Sequence, residues 1–396
     1  MNRALSTPAD PRAAVRVEAG ERFFGAEARR LAELCHRMAE RFARGGRLLA
    51  VGGRAQARSD ARHVAVEFVH PVIVGKRALP ALALTAEGGP VGEQLALEAE
   101  AADMVMFFGH APGGDGVALS RGRGCLTIAF EGCGAEWELI PPSEDPFVRQ
   151  ELVETAYHVL WELVHVFFEH RGLLDGRDAR TVHDTGASSF LYPFLAEAET
   201  ELDGVLADVR SSVLAKAAET GTLRARTLTE ARPVLAAAAA ELRARMDRGG
   251  RLLALGNGGS ATDAMDAVAD LREPPGSRPP RRGLDLTEDS SILTAVANDV
   301  GVDAVFARQV IAHGRAQDGL LALSTSGNSA NVIEALAHAR KRGMLTIAMV
   351  GYDGGRVAEE RLADHVVVVR SEHIPRIQEA QASAWHVLRE LLEDPR

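Results

Sequence analysis

The 396-residue chain has little of what marks secreted or membrane-spanning proteins. Its three cysteines, Cys35, Cys125 and Cys133, show no paired metal-ligand spacing, and reduced thiols explain them most simply. No apolar run approaches the ~20 residues of a membrane span, and the first residues lack the apolar core of a signal peptide. The formal net charge of −10 argues against general binding to nucleic acid or to anionic membranes. We therefore expect a cytoplasmic protein that binds neither.

The amino-acid composition is typical of a globular protein, with 46% hydrophobic and 25% charged residues. The length suits two domains of about 200 residues each. A repeat supports this division, since the segment GGRLLAV at residues 45–51 returns as GGRLLAL at residues 249–255. So long an interval indicates duplication of a whole domain rather than a solenoid of short repeats.

One stretch, residues 252–271, reads as a buried strand, a glycine turn and an opening helix. The apolar run Leu252–Leu255 suits a central parallel strand, and the glycines after it permit a tight turn and close approach to a ligand. Free N–H groups at the following helix start favour an anion such as phosphate. A glycine turn that merely connects two elements is the alternative. The candidate phosphate ligands here are Asn257, Gly258, Gly259 and Ser260.

A second stretch, residues 320–329, repeats the plan with an apolar strand, a polar loop and a helix-like segment over 332–341. Hydroxyls and backbone donors packed this densely can satisfy phosphate oxygens without a lysine. A polar helix cap is the alternative. Two such loops in one domain predict a phosphate-binding cradle whose second half consists of Ser324, Thr325, Ser326 and Ser329.

Five motifs follow one another along the second half of the chain: GNGGS at 256–260, DSSILTAVAND at 289–299, STSGNS at 324–329, GYDGG at 351–355 and RIQE at 376–379. Together they resemble the sugar isomerase (SIS) family, and within it the phosphoheptose isomerases. The resemblance covers about residues 195–393 and implies an α/β fold. With the repeat, it implies two tandem SIS domains, each a three-layer α/β/α sandwich around a parallel, doubly wound sheet of the flavodoxin-like type. By the same resemblance, Asp299 lies near the sugar, although an acidic helix cap is equally consistent.

These observations give an expected domain organisation. We expect a flexible arm over 1–20, an SIS-like domain with degenerate phosphate loops over 21–171, a linker over 172–194 and a C-terminal SIS domain over 195–396. An amphipathic helix is predicted over 21–43, and helical segments are predicted over 195–218 and 228–246. In SIS proteins such leading helices pack against partner subunits, so the resemblance implies a homodimer or a higher homo-oligomer.

The N-terminal copy carries four residues in the spacing of the family's metal and acid–base residues. His63 and Glu67 lie four apart on one helix face, and Gln150 and His158 lie eight apart on another. The resemblance implies that these four bind zinc or a similar ion, and that Glu67 is the base and His158 the acid. Glu67 cannot readily be ligand and base at once, and the sequence leaves that conflict open.

The C-terminal copy keeps Gln378 and His386 at the same eight-residue spacing, and the resemblance places both at the substrate. It has Asp266 and Asp270 where the family has His and Glu. An aspartate reaches one methylene less than a glutamate, and two carboxylates within about one turn repel each other. We therefore expect a composite site, with phosphate on the C-terminal loops and the metal and proton-transfer groups supplied by the N-terminal quartet.

The function that this implies is aldose–ketose isomerisation of a phosphorylated sugar. The expected reaction converts sedoheptulose 7-phosphate into D-glycero-D-manno-heptose 7-phosphate through an enediol, which needs a base and a group that stabilises the oxyanion. The alternative is a non-catalytic SIS protein. It would sense a sugar phosphate or bind a protein partner, like the related protein that binds a replication initiator.

Overall fold

The computed structural model describes residues 10–72, 76–109, 116–169 and 202–393. These residues divide into two compact units. The N-terminal unit consists of Gly20–Ser143 and Leu152–Ala218. The C-terminal unit consists of Met1–Ala19, Glu144–Glu151 and Glu219–Arg396, so it takes in two short segments from the first half of the sequence. The linker predicted over 172–194 lies outside the described residues.

The sheet of the N-terminal unit has five parallel strands in the order β2-β1-β3-β4-β5. Strands β1 and β3 lie side by side in the interior of this sheet. Every residue of both is buried, as expected for strands covered on both faces. The strands are β1 (Leu48–Gly52), β2 (Ala81–Thr85), β3 (Met104–Phe108), β4 (Leu126–Ala129) and β5 (Trp137–Glu138).

Five α-helices accompany these strands in sequence. The first begins at Pro11, ten residues before the start expected from the sequence. Asp10 explains this, because its side chain accepts a hydrogen bond from the backbone N–H of Arg12 at 2.9 Å and proline suits a first helical position. The helices are α1 (Pro11–Ala43), α2 (Ala55–Val69), α3 (Val91–Glu98), α4 (Gly116–Gly122) and α5 (Pro146–Glu169).

The sheet of the C-terminal unit also has five parallel strands, in the order β7-β6-β8-β9-β10. Both sheets therefore have the strand order 2-1-3-4-5 of the flavodoxin-like doubly wound fold. The predicted fold class, two tandem α/β domains of this type, is confirmed. The strands are β6 (Leu252–Leu255), β7 (Gly283–Asp285), β8 (Gly319–Ser324), β9 (Leu345–Gly351) and β10 (His365–Val369).

Seven further helices complete the described chain. Residues 219–227, between the two helices expected from the sequence, are helical as well, because Leu223 and Leu228 continue the buried face. The result is one 46-residue helix that contains Pro233. The helices are α6 (Leu202–Asp247), α7 (Gly259–Arg272), α8 (Ser290–Asp299), α9 (Val305–His313), α10 (Ala330–Lys341), α11 (Gly355–Glu359) and α12 (Ile374–Glu393).

Alternate side chains of β6 reach the two faces of its sheet. Leu252 and Ala254 join a buried cluster with α6, α7 and α12, whereas Leu253 and Leu255 join a cluster with α9 and α10. Helices therefore cover both faces, which gives three layers. Among the described helices, none combines the length and the apolar composition that crossing a bilayer requires.

Candidate functional site

Two polar loops lie at the ends of neighbouring strands in the sheet. The glycine loop (GNGGS, residues 256–260) follows β6, and the serine loop (STSGNS, residues 324–329) begins at the end of β8. In doubly wound sheets, ligands bind at the carboxyl edge where the strand order reverses, and this is that edge. Gly256 is required because a Cβ atom there would lie 2.2 Å from the carbonyl oxygen of Ser260. Gly327 has a φ of +63°, and a Cβ atom there would lie 2.2 Å from the carbonyl oxygen of Gly354. Both turns therefore leave no room for a side chain at these two glycine positions.

The two loops are joined by a pair of amides. Asn257 and Asn331 exchange side-chain hydrogen bonds of 3.0 and 2.9 Å. Inside the serine loop, the Ser324 hydroxyl accepts the backbone N–H of Gly327 at 3.1 Å. Ser329 is the N-cap residue of α10, but its side chain makes no capping bond within the described part of the chain. The structure thus brings the predicted phosphate-binding residues to one polar edge.

Asp299, predicted to lie near the sugar, is exposed at the last residue of α8. Its carboxylate accepts a hydrogen bond from the side-chain amide of Asn298 at 2.7 Å. The residue that caps the start of this helix is Asp289, which accepts the backbone N–H groups of Ser291 and Ile292. The acidic residue that caps this helix is therefore Asp289, and not Asp299 at the opposite end.

A buried group of two carboxylates and one imidazole lies in the C-terminal unit. Asp266 and Asp270 on α7 and His386 on α12 carry ligand-type atoms within 4.8 Å of one another. His386 Nε2 lies 3.6 Å from Asp270 Oδ2. That carboxylate also accepts the indole N–H of Trp385 at 2.9 Å, and Gln150 donates to Asp266 Oδ2 at 2.6 Å. Asp266 and Asp270, which stand where the resemblance led us to expect His and Glu, therefore each accept a hydrogen bond from a defined side chain.

Burial and charge shift the pKa of both members of the Asp270–His386 pair. Burial and the neighbouring Asp266 carboxylate raise the pKa of Asp270 to about 7. Burial lowers the pKa of His386, but the hydrogen bond and charge of Glu151, with Asp270 and Asp266, outweigh it and the pKa is raised. A carboxyl group whose pKa lies near neutrality, beside an imidazole whose pKa is raised, is suited to proton transfer.

Glu151 is a buried neighbour of His386 that no sequence motif singled out. Its Oε1 atom lies 2.9 Å from Nδ1 of His386, and the carboxylate also accepts Nε–H of Arg16 at 2.9 and 3.1 Å and the hydroxyl of Ser383 at 2.6 Å. Burial raises its pKa, but the charges of Arg16, His386 and Arg224 outweigh this and hold the pKa well below the usual range. Glu151 is therefore a buried anion behind the imidazole.

A second buried group lies in the N-terminal unit. His63, Glu154 and His158 carry ligand-type atoms within 4.8 Å of one another. The Nε2 atoms of the two histidines are 3.3 Å apart, and Glu67 Oε1 lies 3.9 Å from Nε2 of His63. Burial, with the charge of His158, lowers the pKa of His63 well below its ordinary value. Burial raises the pKa of Glu67 to about 7, with His158 lowering it and Glu162 raising it.

The donor set of this second group fits zinc. Two nitrogen ligands at 2.0–2.1 Å on a tetrahedral ion are separated by roughly 3.3 Å, which matches the two histidines. Neutral imidazole is the ligating form, and the lowered pKa of His63 favours it. In the C-terminal unit, by contrast, oxygens of both Asp266 and Asp270 already accept hydrogen bonds from Gln150 and Trp385.

The structure groups His63, Glu67 and His158 as the sequence predicted. Gln150, the fourth predicted member, belongs to the C-terminal unit, where its amide donates to Asp266. Glu154, rather than Gln150, carries a ligand-type atom close to those of His63 and His158. Its spacing of four residues from His158 on one helix was the available signal. Gln378 is buried on α12, eight residues before His386, and its place at the substrate stays a prediction.

Comparisons with known proteins agree with this geometry. The family described as SIS domain matches residues 217–351. Phosphoheptose isomerase of Rhodospirillum rubrum is 44% identical over 168 residues, 42% of this chain and 88% of the relative. That of Sulfurimonas denitrificans is 46% identical over 139 residues, 35% of this chain and 70% of the relative. The chain belongs to the SIS domain family.

The likeness to solved structures extends over the whole chain. The C-terminal domain of glucosamine-fructose-6-phosphate aminotransferase from Francisella tularensis aligns with a TM-score of 0.59, covering 96% of this chain and 93% of that chain. At 9% sequence identity this likeness concerns the fold alone. It agrees with a chain made of two SIS-type α/β parts.

Proposed function

We propose that this protein is a phosphosugar isomerase whose reaction takes place in the C-terminal unit. The main support for the proposal is the buried Asp270–His386 pair, because the helices of both residues contact the glycine and serine loops. Helix α7 begins in the glycine loop, and Gln381 of α12 donates to the carbonyl oxygen of Ser324 at 3.4 Å. Asp266 and Asp270 lie six and ten residues beyond Ser260, or about 9 and 15 Å along the helix axis.

The residues suit an enediol mechanism. Ionised Asp270 removes the proton from the carbon next to the carbonyl and returns it to the neighbouring carbon. Protonated His386 donates from Nε2 to the carbonyl oxygen and stabilises the oxyanion as it forms, and Nε2 then takes the proton of the neighbouring hydroxyl as that group becomes the aldehyde. The glycine and serine loops hold the phosphate and thereby position the reacting carbons. Within this unit, each step then has a candidate group.

The specific reaction that we propose is conversion of sedoheptulose 7-phosphate into D-glycero-D-manno-heptose 7-phosphate. It is supported by the name of the relatives that are 44 and 46% identical to this chain over 168 and 139 residues. The homo-oligomeric state and the cytoplasmic location expected from the sequence stay predictions.

We further propose zinc for the N-terminal unit, held by His63, Glu154 and His158. A bound zinc ion supplies a Lewis acid where a coordination position stays open and stabilises the fold where none does. Glu154 as the carboxylate ligand leaves Glu67 outside the metal set. The sequence hypothesis of Glu67 as the base and His158 as the acid is therefore the competing assignment for the chemistry.

Two matched variants separate the assignments. Purified protein is incubated with sedoheptulose 7-phosphate, and the aldose product is measured for wild type, Asp270→Asn and Glu67→Gln. Both variants replace one buried carboxylate by its isosteric amide. We expect Asp270→Asn to lower kcat by about 10²-fold or more and Glu67→Gln to change it by less than about threefold. The reverse pattern would establish the sequence hypothesis.

One further result would reject catalysis altogether. If wild-type protein turns over no six- or seven-carbon ketose phosphate but binds one saturably, the protein is a sugar-phosphate sensor. Isothermal titration with the same sugars supplies the binding measurement.

A further inference from the structure

Helix α5 brings Glu151 against the imidazole of the proposed active site. Glu151 comes from the first half of the sequence, 235 residues before His386, and both side chains are buried. Of the two ring nitrogens of His386, Nδ1 faces this carboxylate at 2.9 Å. Nε2 makes no hydrogen bond within the described part of the chain and lies 3.6 Å from Asp270 Oδ2.

We propose that Glu151 is a positioning residue that keeps a proton on Nδ1 of His386, so that Nε2 is the nitrogen presented to Asp270 and the substrate. This inference rests on the proposed function and adds to it the residue that sets the tautomer of the imidazole. A carboxylate only accepts hydrogen bonds, so Nδ1 must be the donor. The nitrogen that exchanges protons with a ligand is then fixed as Nε2.

Two features make Glu151 suitable for this role. Arg16 and Ser383 donate to its carboxylate, and Arg224 Nε lies 3.8 Å from it, so it stays ionised and has little freedom to turn. The ring of Phe147 stacks on His386 with centroids 4.5 Å apart and an interplanar angle of 18°, which fixes the plane of the imidazole. Orientation of the ring and identity of the protonated nitrogen are therefore both determined.

Charges from helix α7 also face His386. Asp266 and Asp270 on α7 raise its pKa together with Glu151, while burial lowers it. Among the residues that the structure describes, however, only Glu151 contacts Nδ1 in hydrogen-bond geometry. Loss of the Glu151 charge is therefore expected to lower the pKa of His386. Separately, it should remove the preference of neutral His386 for the tautomer with the proton on Nδ1. A merely structural role would produce neither change.

The chain contains a matched control for this carboxylate. Glu379 lies in the second copy of the motif, with the same spacing to the histidine of its own helix as Glu151 has to His158. It is equally buried, pairs with Arg376 at 2.8 Å and accepts the hydroxyl of Thr220 at 2.8 Å. Glu379→Gln therefore removes a comparable buried charge without touching His386.

The experiment uses the full chain with ¹⁵N-labelled histidine, and the His386 signals are assigned by their loss in His386→Gln. Long-range ¹H–¹⁵N spectra across a pH titration report the tautomer of neutral His386 and its pKa. We expect Nδ1–H in wild type and in Glu379→Gln. In Glu151→Gln we expect loss of that preference, a lower pKa of His386 and a kcat reduced about 10- to 100-fold with KM changed less than about threefold.

The outcomes distinguish this inference from the proposed function. An unchanged tautomer and pKa in Glu151→Gln would overturn the positioning role. If Glu151→Gln does not fold, the wild-type spectrum decides alone, because Nε2–H in neutral His386 contradicts the inference. If the tautomer responds as expected but wild-type protein isomerises no sugar phosphate, the positioning role stands and the isomerase proposal fails.

Discussion

Asn257 and Asn331 exchange two side-chain hydrogen bonds and thereby join the loop after β6 to the first turn of α10. A bond pair of this kind holds the two halves of the proposed phosphate cradle together before a ligand arrives. Preorganisation lowers the ordering cost of binding, so its loss should weaken binding more than chemistry.

The first prediction concerns this pair. Asn331→Ala is expected to raise KM for the sugar phosphate about tenfold with little change in kcat, because a uniform binding contribution is removed. Steady-state kinetics on the purified variant measure both constants. Gln94→Ala is the control, since its amide bonds the carbonyls of Thr85 and Gly89 in the N-terminal unit. Equal KM values for wild type and Asn331→Ala would show that the pair does not preorganise the cradle.

The second prediction is a bell-shaped dependence of kcat/KM on pH. Asp270 must be ionised, so activity rises with pH as its pKa of about 7 is passed. His386 must be protonated, so activity falls again above its raised pKa. Because the two groups are close, the apparent values belong to the pair. Initial rates in constant-ionic-strength buffers from pH ~5 to ~10 give the profile.

Asp266→Asn serves as the diagnostic variant for that profile. Removing the neighbouring carboxylate charge lowers the pKa of Asp270, so the acidic limb should move to lower pH. An acidic limb that does not move in this variant would exclude Asp270 as the group responsible.

The third prediction isolates one hydrogen bond to the proposed base. Trp385→Phe removes the indole N–H that donates to Asp270 Oδ2 at 2.9 Å while keeping an aromatic ring. Because that bond favours the ionised carboxylate, its loss should move the acidic limb upward by roughly one pH unit. The same pH–rate measurement tests this. Movement of the limb to lower pH would mean that the indole does not stabilise the charged form.

The fourth prediction compares two glycine substitutions. Gly256→Ala should destabilise the protein by more than about 2 kcal/mol and abolish phosphate binding, because its Cβ atom would collide with the backbone of Ser260. Gly25→Ala lies in helix α1, where a Cβ atom would meet no described atom within 4 Å, and should stabilise by roughly 0.5–1 kcal/mol. Urea denaturation and titration with sugar phosphate measure the two effects. Similar behaviour of both variants would contradict the steric argument.

The fifth prediction concerns metal content. Protein purified without chelator should contain about one zinc per chain, and His158→Gln should lose it because one of three ligands is gone. Asp266→Asn should keep the ion, since the C-terminal group is assigned to proton transfer. Elemental analysis of the three proteins provides the measurement. Zinc lost from Asp266→Asn but kept in His158→Gln would reverse the assignment of the two groups.

Much of the fold was predictable because strand and turn signals are local. The strand Leu252–Leu255 has the bounds predicted from its apolar run, and the repeat of GGRLLA anticipated a second sheet. The start of α1 at Pro11 was missed although Asp10 and Pro11 signalled it.

The site was less predictable because its decisive contacts join distant helices. Spacing alone shows that Gln150 and His158 face one way on α5, but not which neighbours meet that face. Gln150 and Glu151 contact residues more than 100 positions away, and only tertiary packing determines those partners. The roles of Asp266 and Asp270 likewise depended on donors, Gln150 and Trp385, that no local pattern identifies.

The C-terminal unit includes residues 144–151, and this has a practical consequence for fragments of the chain. A recombinant piece beginning near residue 195 would retain every loop motif of the second copy, yet Asp266 would lose its amide donor and His386 its anionic neighbour. Such a truncation would leave buried ionisable groups uncompensated and should be poorly behaved in isolation. Once the earlier copy supplied these side chains, the second copy could no longer do without it.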